Sequence, residues 1–181
     1  MKKLLLLLTI ITTFSCCNKN DDDQPTNPID QLPPATQTGE QTFGCLINGE
    51  AFVPPSFGNN APGAFYQFIG GAYTLGIHAS TGGGTELKSI NLGCLDMPLI
   101  EETDYTMLEF ATGNYFGEYR IGAGFVFDGS SSSGNPGTLT ITRFDQINFI
   151  ISGTFSFEAK DINTGETIQI TNGRFDMNYT N

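Results

Sequence analysis

The chain has 181 residues, with 19 acids against eight Lys and Arg, a net charge of −11 and no tryptophan. So acidic a surface, with no cluster of basic side chains, repels nucleic-acid phosphates and anionic headgroups, which excludes nucleic acid as a partner. One histidine and no C-x-x-C pair leave no closed ligand set for zinc.

The first element is Lys2-Lys3, an apolar run over 4–11, then Thr12-Thr13-Phe14-Ser15-Cys16. Charged, apolar and small-residue regions in that order make an export signal. The run is too short to cross a bilayer as a helix, which needs roughly 20 apolar residues. Ser15-Cys16 resembles a lipobox, so 1–15 reads as a cleaved signal peptide and Cys16 as the lipidated first residue, with Cys17 the rival position. The expected location is the outer membrane, lipid-anchored and exposed at the cell surface, with the membrane engaged through the acyl chains. Residues 16–41 read as a tether: Asp21-Asp22-Asp23, then Pro25, Pro28, Pro33 and Pro34, with almost no large apolar side chain. Such a composition buries no core and is expected to stay disordered. The aspartates either resemble the surface-export signal of Bacteroidota-type lipoproteins or form a solvated spacer.

From 42 to 181 the length is that of one domain, and the apolar period is two almost throughout. Phe43, Cys45 and Ile47 alternate with small or polar residues, and Asn48-Gly49 then predicts a hairpin into Glu50. Tyr73, Leu75, Ile77 and Ala79 share one parity, followed by Ile90, Leu92 and Cys94, then Tyr119, Ile121, Ala123, Phe125 and Phe127. Residues 99–110 suit a loop entering a strand. A glycine- and serine-rich stretch over 129–137 predicts a mobile hairpin tip. Ile151, Gly153, Phe155, Phe157 and Ala159 then oppose a wholly polar face, as a half-buried antiparallel strand requires. Parity slips between Ile141 and Phe144 and between Ile170 and Phe175 predict two β-bulges, the second at Asn172-Gly173. The fold expected is a single all-β domain over 42–181, an antiparallel β-sandwich or barrel-like fold of about ten short strands.

The segments Thr42-Phe43-Gly44-Cys45-Leu46-Ile47-Asn48-Gly49-Glu50, Gly137-Thr138-Leu139-Thr140-Ile141-Thr142-Arg143-Phe144-Asp145 and Gly173-Arg174-Phe175-Asp176 resemble those of a family of Bacteroidota-type surface lipoproteins of unknown function. The resemblance implies a surface β-domain and carries no catalytic residue with it.

Candidate chemistry is sparse. Cys45 and Cys94 either form a disulfide, as an oxidising compartment allows, or remain two buried thiols. His78 falls on a polar parity without a nucleophile partner and reads as structural. Asp161, Asn163 and Glu166 place oxygens around Gly165 as part of a calcium loop would, yet a hairpin turn already demands that composition. Glu101, Glu102, Asp104, Asp145 and Asp176 supply carboxylates for a glycan hydrolase, although nothing singles out a pair. The two Arg-Phe-Asp triplets, 143–145 and 174–176, suggest cross-strand ion pairs beside the bulges. In Phe65-Tyr66 and Tyr115-Phe116 one ring of each pair turns outward, which nominates Tyr66, Tyr115 and Phe116 as partner contacts. The function expected is a non-enzymatic, membrane-anchored binding module for an extracellular glycan or protein. A carboxylate-dependent hydrolase and a structural envelope lipoprotein are the alternatives.

Overall fold

The computed structural model describes residues 27–181 except Phe125 and Ile162. The signal peptide, Cys16 and the tether through Thr26 lie outside the described residues. Eleven strands form one sheet: β1 Thr42–Ile47, β2 Glu50–Phe52, β3 Gly63–Ile69, β4 Ala72–Thr81, β5 Lys88–Leu95, β6 Thr103–Leu108, β7 Tyr115–Ile121, β8 Phe127–Ser130, β9 Gly137–Asp145, β10 Ile150–Asp161 and β11 Thr167–Thr180. The all-β expectation holds. The pairings run β11–β3–β4–β5–β7–β6–β9–β10 and return to β11, so the sheet closes on itself like a barrel. β1 and β2 take the place of β3 beside the first part of β11, and β8 bridges β7 and β10. Two short contacts, β3 with β11 and β6 with β7, are parallel, so the sheet is mixed rather than purely antiparallel.

The inward faces fill the interior with side chains. Phe43, Leu75, Ile77, Ile90, Leu92, Tyr119, Leu139, Ile141, Ile151, Ile170 and Phe175 are all almost fully buried. Both predicted bulges are present. On β9, Thr142 is left over between the Ser152–Arg143 and Gly153–Ile141 pairs. On β11, register shifts between Phe155–Gly173 and Phe157–Ile170, with Asn172 in the left-handed region at φ 53°. Asn48 and Gly49, at φ 49° and 86°, form the hairpin turn of β1 and β2. Gly153 and Gly173 are required by close packing. A Cβ on Gly153 would stand 2.3 Å from the Thr140 carbonyl oxygen and 2.7 Å from the Phe175 ring, and one on Gly173 2.5 Å from the Phe155 ring.

Three expectations are corrected. The tether does not run to residue 41, because Pro28–Gln31 forms a 3-10 turn capped by Asn27 and Leu32 is buried. The strap that follows is held by one carboxylate. Asp176 accepts the N–H groups of Thr38, Gly39 and Glu40 at 2.9, 2.8 and 3.2 Å and the Ser152 hydroxyl at 2.7 Å. Composition alone misses this, since a strap needs few apolar residues when its amides meet a buried acid. Second, the expected single strand from 119 to 127 breaks at Gly122, φ 76°, and turns back, so that Tyr119 opposes Gly129 and Ile121 opposes Phe127. Third, the 129–137 stretch is anchored rather than mobile. Ser131 is fully buried, its Oγ accepting the Gly117 N–H at 3.0 Å and donating to the Leu108 carbonyl at 2.6 Å.

Burial raises the Asp176 carboxyl, but the donors converging on it outweigh that effect and hold it below its ordinary value. A carboxyl lowered by folding stabilises fully above its unfolded pKa of about 3.9, and the contribution is lost as pH falls through the lower folded value. Asp176→Asn, which keeps the shape and removes the charge, is expected to cost about 1.5–3 kcal/mol at neutral pH. It is also expected to speed hydrogen exchange at Thr38, Gly39 and Glu40, and unchanged exchange there would refute the strap. Gly153→Ala should lower the free energy of urea unfolding by about 1–3 kcal/mol through overpacking; wild-type stability would show that the β9–β10–β11 wall has room to spare.

Candidate functional site

The side chains nominated from sequence mostly do structural work. Cys45 and Cys94 are separate, buried thiols, so of the two alternatives the structure contains the unbonded one. Burial pushes both thiols up, Cys94 to about 11 despite hydrogen bonds at Leu75 and Met97, which leaves neither as a nucleophile at neutral pH. Tyr66 and Tyr115 turn inward, which corrects their nomination as partner contacts. Tyr66 Oη accepts the Leu99 N–H at 3.3 Å and Tyr115 Oη donates to the Pro98 carbonyl at 2.5 Å, so both pin the loop between β5 and β6. Tyr66 also stacks on Tyr73 and Tyr115 on Tyr105, with centroids 4.9 and 4.1 Å apart.

The carboxylates are individually committed. Glu101 accepts the Phe144 N–H at 2.6 Å, Asp104 accepts the Thr140 hydroxyl at 2.7 Å, and Glu102 is exposed. Asp145 caps the turn into β10. Hydrogen bonds from Asn148, first its side chain and then its amide, hold its carboxyl well below the usual range. Glu101 and Asp145 come together only through Arg143, which lies 3.6 Å from one and 2.7 Å from the other. The second triplet is not an ion pair, because Arg174 donates to the carbonyls of Asn172 and Pro33 while Asp176 holds the strap. At the Asp161 turn, Oδ1 accepts the Asn163 and Thr164 amides at 2.8 and 2.9 Å and Oδ2 accepts the Asp128 amide at 3.1 Å. Asn163 and Glu166 are exposed, so these residues build a turn. Among the described residues no three His, Cys, Asp or Glu side chains gather within reach of one metal ion.

A different group of residues does converge. On the outer face of β3, β4, β5 and β7, register aligns Phe65 with Gly76, Gly76 with Gly93 and Gly93 with Phe116. The two glycines leave a trough, and a ring leans over each. A Cβ on Gly76 would stand 2.3 Å from the Phe65 ring, and one on Gly93 2.8 Å from that of Phe116. Phe116 is itself buried, and Phe110, 57% exposed, packs edge-on against it at 4.6 Å, so Phe65 and Phe110 are the rings open to solvent. The next outward row along the same strands is Gly63, His78, Asn91 and Glu118. Beyond it Arg120 pairs with Glu118 and Asp128, each at 2.9 Å. Burial raises the Glu118 carboxyl against the pull of Arg120. Phe65, Phe110, His78, Asn91, Glu118 and Arg120 are among the residues that line a groove of about 450 Å³, within the roughly 300–1,000 Å³ range of small-molecule sites.

Of the residues nominated from sequence, only Phe116 reaches this groove, and Phe65, the neighbour of Tyr66, supplies the other ring. Phenylalanines and glycines on outward parities were the available signal; the row itself depends on strand register. No family model matches the chain, and neither the curated proteins nor the solved structures yielded a match.

The buried thiols give a direct check. In native protein, peptide-level alkylation by a small maleimide should leave Cys45 and Cys94 unmodified for hours, with labelling only as denaturant unfolds the sheet. Rapid native labelling of either would contradict its burial.

Proposed function

We propose that the chain is a lipid-anchored, extracytoplasmic binding module that engages its partner through the groove on β3, β4, β5 and β7. The four-strand row Phe65–Gly76–Gly93–Phe116 carries this reading. Phe65 and Phe110, the latter packed on the buried Phe116 ring, form an apolar platform on the outside of a barrel whose interior is already packed, where a solvent-facing strand would ordinarily place polar side chains. Nearby, His78 and Asn91 offer hydrogen bonds for orientation, and the Glu118 carboxylate is paired with Arg120. Binding of this kind uses ring and side-chain contacts without a cofactor. The export signal and Cys16 support the address, as does the resemblance to Bacteroidota-type surface lipoproteins.

Two measurements separate address from activity. Cys16→Ser should move the protein from the membrane fraction to the soluble fraction; continued membrane retention would remove the anchor. Fluorescently labelled mature protein should bind intact bacterial cells saturably, and the double variant Phe65→Ala/Phe110→Ala should weaken that binding at least tenfold without altering the circular dichroism. Equal binding by the folded double variant would transfer the function to another surface.

A further inference from the structure

Resting on the groove as the binding surface, we infer that its ligand is a neutral sugar ring of a glycan chain, lying on the Phe65 and Phe110 rings with its hydroxyl edge on Asn91 and His78. Three features of the groove lead to this class.

The first is the pairing of an oily face with a polar edge. The ring row and the His78–Asn91–Glu118 row lie two residues apart along the strands, about 7 Å, and neighbouring residues within a row are about 4.8 Å apart. A pyranose has the same division: one face of C–H bonds, which the negative face of an aromatic ring attracts, and a rim of hydroxyls. A purely apolar ligand covering the groove would strip water from His78 and Asn91 and return no hydrogen bond to either.

The second is which hydrogen-bonding groups are available. Neither Asn91 nor His78 makes a side-chain hydrogen bond within the described chain, although Asn91 is half-buried. An amide that both donates and accepts, beside an imidazole that does the same, suits hydroxyls, which also do both. β4 and β5 are hydrogen-bonded to a neighbour on each side. An extended peptide therefore has no open strand edge here to pair with, and recognition falls to side-chain tips.

The third is charge. The one guanidinium at the groove is bracketed by Glu118 and Asp128, leaving the edge net negative on a chain of net charge −11. Uronate and sulfate groups would meet repulsion, which disfavours anionic glycans, while the hydroxyl partners Asn91 and His78 suit an uncharged ring.

Affinity gel electrophoresis of the mature protein tests the assignment, with soluble glucan, mannan, galactan, xylan or glycol chitin cast in the gel. Pectin and a sulfated galactan serve as anionic arms and chitosan as the cationic arm. At least one neutral polymer should retard the wild type, while Asn91→Ala, at unchanged melting temperature, should weaken retardation at least tenfold and Phe65→Ala should abolish it. Retardation by charged polymers alone, or by none, would overturn the neutral-glycan assignment. If groove substitutions still abolished cell binding in that case, the groove would stand with a different ligand. Neutral-glycan retardation unaffected by either substitution would overturn the assignment and the groove together.

Discussion

Closure of the sheet depends on what the last strand does at Asn172 and Gly173. β11 pairs with β10 along almost its whole length, while its other edge serves β1 first and β3 at its end. A regular strand of that length would turn its apolar side chains out of the core wherever parity slipped. One extra residue at Asn172 corrects the phase, so Ile168 and Ile170 before it and Phe175, Met177 and Tyr179 after it all face inward. Gly173 lets the bulge lie against the Phe155 ring, and Gly153 makes the matching space for Phe175. Without that correction the strand could not fill the core and close the circuit, and the other walls would lose the surface they pack on.

Much of this is legible in the chain, because a period of two and the phase errors within it are local properties. The alternation at 151–159 identifies β10, and the mismatch between Ile170 and Phe175 locates the bulge to a residue pair. Legibility ends where geometry is non-local. Nothing near Thr38 announces that its amide will meet a carboxylate at Asp176, so by composition the strap reads as tether. The run from Tyr119 to Phe127 keeps one parity on both sides of the turn at Gly122, because an antiparallel return restores the inward face and hides the reversal. The pairs Phe65-Tyr66 and Tyr115-Phe116 show that two faces are served without showing which ring takes which. Loop amides and carbonyls decide it, since a phenolic hydroxyl can be satisfied at Leu99 or Pro98 and a phenyl ring cannot.

The groove follows from the same economy of positions. Its floor sits on central strands with backbone partners on both sides, so the rings are held on a surface that has little freedom to rearrange. A platform ordered before its ligand arrives loses little entropy on binding. Phe110, on the loop after β6, is the exception, reaching the platform from outside the four strands. The acids distributed around the barrel serve turns, loops and the strap, which leaves Glu118 and Asp128, balanced against Arg120, as the charges beside the rings.

The strap also has a mechanical consequence. Load entering from the N-terminal side arrives first at buried Leu32 and the Pro33 carbonyl held by Arg174, then at the amides on Asp176, then at β1, whose ladder lies along β11. β4 and β5, the floor of the groove, stand outside that route. Under tension from that end the strap would thus yield as a mooring before the floor of the groove deformed.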